Sequence, residues 1–198
     1  AVYDPKLNTL TLKNLNFTSD WTEGAVIYSE IDGLKIIVSG TNTITMPASL
    51  KNKTDAIRLT GNNATITGAN GASSDQLIIN STCAGSTDAW EDGTTRSAIT
   101  YHDGSLNIEK LTLTMNDTSS NDYKGHSTAV YSNSTGKLTM KNCVLNTTNT
   151  QHGVYMNQGA AEISDTAFNI QNGSISNSTG VNLAPGTKNK LTNCDGTI

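Results

Sequence analysis

The two tryptophans, Trp21 and Trp90, both stand in irregular segments, and the second has charged company in Asp88, Glu91, Asp92 and Arg96. A third irregular segment, "NDTSSNDYKGHST" (116–128), carries Tyr123 beside Asp117 and Asp122. Tyr131 and Tyr155 follow in more regular sequence. Three kinds of chemistry fit these residues. Aromatic rings offer a π face to the C–H groups of a sugar. Paired carboxylates with a nearby cation serve acid–base work on a glycosidic bond or a uronate. Carboxylates with amide oxygens hold Ca²⁺, which accepts six to eight oxygen ligands.

Each reading has a plainer rival. A tryptophan in a long loop commonly anchors that loop. A tyrosine is a good strand former and pairs across strands. Asn116, Asp117, Asn121 and Asp122 also read as a solvated polar loop, without the spacing of an EF-hand. Asp32 and Asp103 each precede a glycine, which is turn chemistry. "GHS" (125–127) and "QHG" (151–153) occur, but no Asp-Asp and no Arg-x-Lys accompanies them. No nucleophile elbow, P-loop or zinc motif is present.

The elements that must position these residues repeat. Four octets align without gaps: "LTLKNLNF" (10–17), "LNIEKLTL" (106–113), "LTMKNCVL" (138–145) and "AEISDTAF" (161–168). Columns one, three, six and eight are apolar throughout, Thr166 excepted. That spacing scatters around a helix. In two period-two strands joined by a two-residue corner it faces one side. A second element precedes most octets, a small residue followed by Val or Ile: Ala25-Val26, Ala56-Ile57, Ala98-Ile99, Ala129-Val130, Gly153-Val154 and Gly180-Val181. On this alignment the outward column of the opening strand reads Ile27, Arg58, Thr100, Tyr131, Tyr155 and Asn182. Each repeat is therefore an opening strand, a turn, a middle strand, a tight corner, a closing strand and a loop back. The loops back differ in length, and they hold Trp21, Trp90, Tyr123 and His152. Insertions gathered on one edge often mark a binding face.

Three inward-facing strands per repeat predict an all-β fold, a single-stranded parallel β-helix (solenoid) of about six to seven turns. No single turn buries its own apolar columns, so turns must stack. Right-handedness follows from the crossover rule. A β-sandwich is the competing fold, disfavoured by the scarcity of hairpin signals. Residues 1–198 read as one domain of a longer protein, with a neighbouring domain or partner at the C-terminal end.

Composition bounds the function classes. Thr (30), Asn (23) and Ser (19) dominate, while charged residues make up only 15%, so polarity comes from short uncharged side chains. Net charge of -4 leaves no basic footprint for nucleic acid, and no apolar run is long enough to insert in a membrane. The three cysteines, Cys83, Cys143 and Cys194, lack metal-ligand spacing and read as small buried residues. Thr-x-Thr pairs raise ice binding, but the outward middle-strand column Thr11, Lys35, Thr65, Asn107, Thr139 and Glu162 is interrupted by charge.

The octets, the corner residues Asn14 and Asn142 and the A-V-Y start resemble pectate-lyase-like right-handed β-helix proteins. More narrowly, "YDPKLNTLTLKNLNF" followed by "EIDGLKIIVSGTNTI" is similar to repeat segments of secreted or surface proteins of gut-type bacteria, described as carbohydrate-binding or adhesin-like. The resemblance implies an extracellular or cell-surface β-helix, and with no catalytic motif present the chain reads as one that binds polysaccharide through its loop edge without transforming it. Trp21, Asp88, Trp90, Glu91, Asp92, Arg96, Tyr123, Tyr131 and Tyr155 are its expected contacts. No cofactor is expected beyond Ca²⁺ at Asp117 and Asp122. A lyase or hydrolase acting on acidic polysaccharide is the alternative, and a structural spacer the next.

Overall fold

The computed structural model describes residues 1–20, 24–46, 55–82, 96–118, 127–171 and 179–197. Among them every regular element is a β-strand, and the strands form three sheets. The opening sheet holds Ala25–Ser29, Asp55–Leu59, Arg96–Tyr101, Ser127–Ser132, His152–Met156 and Thr179–Asn182. The middle sheet runs from Thr9–Lys13 to Lys190–Thr192, and the closing sheet from Asn16–Thr18 to Asp195–Thr197. The chain visits the three in rotation, so each strand pairs with its counterpart one repeat away, in parallel. Among the described residues the one antiparallel pair joins Val2–Asp4 to Thr9–Lys13. This connectivity fits a β-helix.

The apolar columns explain the stacking. In the middle sheet Ile36, Ile66, Ile108, Met140 and Ile163 lie in register, all buried. Leu77, Leu113, Leu145 and Phe168 do the same in the closing sheet, and Ile57, Ile99, Val130 and Val154 in the opening sheet. Burying such a side chain stabilises by about 1.5–3 kcal/mol, realised only when a neighbouring repeat covers it. At the two ends, where one neighbour is lacking among the described residues, Phe17 and Leu191 are 39% and 49% exposed.

Register corrects two expected alignments. Ile27, not Val26, pairs with Ile57, so the first opening strand sits one residue later than its Ala-Val outline predicts. The octets at 106, 138 and 161 stack residue for residue. The octet at 10 is displaced by two, because Leu10 pairs with Ile36, which pairs with Ile66 and so leads to Ile108. The closing sheet carries the same displacement, because Phe17 pairs with Ile44, Ile44 with Ile79 and Ile79 with Met115. Thr9 rather than Thr11 therefore precedes Lys35 in the outward middle column.

The tight corners are alike in conformation. Asn14, Lys110, Asn142, Asp165 and Asn193 all have positive φ, between 47° and 55°. Asn tolerates this left-handed region best among residues with a side chain. The next residue turns inward, and three of these residues close the corner. Cys143 Sγ donates to the Lys141 carbonyl at 3.3 Å, Thr166 Oγ1 to Ser164 at 2.9 Å and Cys194 Sγ to Thr192 at 3.4 Å. Thr166 is thus no exception to an apolar column but a second version of Cys143. Burial, against hydrogen bonds from the backbone, pushes the Cys143 thiol up. Cys143 and Cys194 are free thiols, and Cys83 lies outside the described residues.

Candidate functional site

The variable segments all leave the closing sheet and return to the opening sheet. Their anchoring ends stack along one edge, because Met46, Ser81 and Asp117 are register partners, as are Arg96 and Ser127. Trp21, Asp88, Trp90, Glu91, Asp92, Asp122 and Tyr123 lie outside the described residues. Arg96, Asp117, Tyr131 and Tyr155 lie within them.

Arg96 begins an opening strand and Asp117 ends the closing strand of the same repeat. Arg96 Nη2 stands 3.4 Å from Asp117 Oδ2, and both side chains are buried. The pair ties together the bases of two adjacent variable segments. Asp117 thereby turns a carboxylate toward a guanidinium, so it enters any cation site only by giving up that contact. Among the described residues no group of three or more His, Cys, Asp or Glu is arranged to hold a metal.

Tyr131 and Tyr155 are register partners on the opening sheet. Their rings lie 5.8 Å apart and nearly parallel, at 13°. His152 stands at the start of the same strand as Tyr155 and packs its ring 4.8 Å away, tilted by 37°. Its Nδ1 lies 2.6 Å from the Thr179 hydroxyl, which fixes the imidazole plane. The full column, read through the observed pairings, is Tyr28, Arg58, Thr100, Tyr131, Tyr155 and Asn182. The one-residue shift at the first opening strand replaces the expected Ile27 with Tyr28, so the column holds three tyrosines rather than two.

Access along the column is uneven. Tyr28 is 55% exposed, whereas Thr100 is 2% exposed and Tyr131 9%. Tyr155 is half-buried. Tyr28 and Tyr155 are thus the rings of the column open to solvent, and Tyr131 is the ring on which Tyr155 rests. Burial, with the neighbouring Tyr155 and Asp55, raises the Tyr131 hydroxyl's pKa.

Asp55 belongs to this cluster, although it is not among the contacts expected from sequence. It opens a strand, almost fully buried, with Oδ2 2.7 Å from Arg58 Nε. Burial pushes its carboxyl up, opposed by the Arg58 guanidinium, the Thr100 hydroxyl and His102. A buried carboxylate with a raised pKa is a recurring feature of reactive sites and also of structural ion pairs. A polar residue directly before the small-apolar pair was the available signal. It recurs as Asp55, Ser97, Thr128 and Gly153's neighbour His152.

No protein-family model, curated protein or solved structure matches this chain. The class defined by fold and site is therefore structural: an all-β chain of stacked parallel strands, carrying a tyrosine column beside its variable edge.

Proposed function

We propose that this chain is a right-handed parallel β-helix of about six to seven turns that binds polysaccharide without transforming it, outside the cell or at its surface. The observation that carries this reading is the stacked pair Tyr131–Tyr155, with Tyr28 in the same column. Tyr155, held flat by the ring beneath it and by His152, is a preorganised surface for a sugar ring. The resemblance read from the octets and from "YDPKLNTLTLKNLNF" implies the same kind of ligand. Trp21, Trp90 and Tyr123, which lie outside the described residues, are further contacts on this reading.

The competing reading, a lyase or hydrolase of acidic polysaccharide, draws its support from Asp55, whose carboxyl is buried and raised. Arg58 occupies that carboxylate, and at 1% exposure Asp55 offers a substrate little approach. The non-enzymatic reading is therefore preferred.

A polysaccharide array probed with the full chain, with and without Ca²⁺, tests both readings. Binding should fall about threefold to tenfold in Tyr155→Ala, the range that aromatic stacking supplies, with the thermal unfolding midpoint little changed. Retention of no polysaccharide would favour the spacer reading. Unsaturated uronate released from polygalacturonate would establish the lyase.

A further inference from the structure

The outer face of the closing sheet differs from that of the middle sheet in one respect, charge. Outward middle-sheet positions include Lys13, Lys35, Glu109, Lys141, Glu162 and Lys190. The five closing strands from Thr41–Met46 to Ala167–Gln171 contain one charged residue, Asp117, which is buried against Arg96. Solvation alone explains the first face. It does not explain why a second face of similar size carries no charge in a chain that supplies charges elsewhere.

What this face carries instead is a grid of half-exposed amides and hydroxyls. One column reads Thr43, Ile78, Thr114, Asn146 and Asn169, and the next reads Thr45, Asn80, Asn116, Thr148 and Gln171. The amides are held in place from repeat to repeat. Asn116 Nδ2 donates to Asn80 Oδ1 at 2.9 Å, Asn146 Nδ2 to Thr114 Oγ1 at 3.3 Å and Asn169 Nδ2 to Asn146 Oδ1 at 2.9 Å. Each donating amide spends one N–H on this ladder and keeps a second for a ligand. Successive rungs stand about 4.8 Å apart, the spacing of paired strands.

We propose that this face is a binding track for an uncharged polysaccharide. The proposal rests on the glycan-binding reading above and adds to it a second site and a ligand class. The argument is one of charge complementarity. A neutral polyhydroxyl chain offers donors and acceptors that match fixed amides and hydroxyls, and it brings no charge to be desolvated. An acidic polysaccharide finds no cation here to offset that desolvation. A nucleic acid finds no basic residue.

The test measures retention of the full chain on insoluble neutral glucan and xylan, and on polygalacturonate. It compares wild type with Asn146→Lys, with Ile78→Lys and with Tyr155→Ala. Ile78 takes no part in the ladder, so its substitution probes the face where Asn146→Lys proves unstable. The expected result is retention on a neutral polymer, weakened about tenfold or more by either lysine. Neutral retention that survives both lysines but falls in Tyr155→Ala would overturn this track and leave the tyrosine site standing. Retention on polygalacturonate alone would overturn it likewise. No retention on any polymer would remove both sites. A concentration-dependent dimer abolished by the lysines, without polymer retention, would assign the face to a second copy of the chain.

Discussion

Asp75 is the clearest case of a single side chain holding a local structure in place. It sits in the long corner at 69–75 and accepts from the Gly40 amide at 2.9 Å, from the Gly71 amide at 2.9 Å, and from the Asn70 backbone and side chain. Burial alone would raise its carboxyl, but these donors more than offset burial and hold it below the usual carboxylate range. A carboxyl whose folded pKa lies below its unfolded value, near 3.9, stabilises fully above about pH 5 and loses that contribution as the pH falls through the folded value. Asp75→Asn turns an N–H toward donors that need an acceptor, and should cost about 1–3 kcal/mol at pH 7. Thermal unfolding followed across acid pH checks both parts. The variant should be less stable at neutrality and should lack the share of acid sensitivity that Asp75 supplies. Asp55 has the opposite sign, since burial raises its pKa and its contribution falls as pH rises through the raised value.

At the scale of the element, the turn between opening and middle strands sets how closely repeats approach. A Cβ placed on Gly136 would lie 1.6 Å from the Gly104 carbonyl oxygen, and one on Gly159 would lie 2.1 Å from the Gly136 carbonyl oxygen. The obstacle is backbone in both cases, so no side chain can swing aside. Gly136→Ala should therefore destabilise by on the order of 3 kcal/mol, read as a lowered denaturant midpoint, whereas Gly186→Ala meets no atom within 4 Å and suffers only its positive φ of 74°. The strands themselves were legible in sequence, because period-two apolar columns and the corner asparagines are local signals. Asn14 and Asn142 do adopt the left-handed corner, and the three octets from 106 onward do stack in register. Register at the N-terminal repeats was not legible. It is set by pairings between strands far apart in sequence, such as Leu10 with Ile36 and Ile66 with Ile108, which no local pattern records. The same limit hid Tyr28 from its column, because "AVIYS" carries two candidate β-branched residues and only pairing with Ile57 selects the second. Thr166 looked like a break in the apolar pattern because its hydroxyl bonds to a backbone carbonyl that sequence does not display.

For the molecule as a whole, the three sheets divide the labour. The middle sheet carries charge outward, the closing sheet a neutral amide and hydroxyl grid, and the opening sheet a tyrosine column flanking the variable edge. Stability then arises from contacts between neighbouring repeats, and the faces are free to differ in chemistry. Everything rests on the parallel, in-register stacking of the repeats. Spin labels at Thr9 and, in turn, at Thr139, Glu162 and Lys190 test it, since these positions belong to one outward column linked through successive pairings. Electron–electron distances should grow from about 19 Å to about 24 Å and about 29 Å, one strand spacing per step, whatever the number of residues between the labels. Distances that fail to increase, or that shorten at Lys190, would mean the strands fold back on one another and would contradict the stacked parallel arrangement.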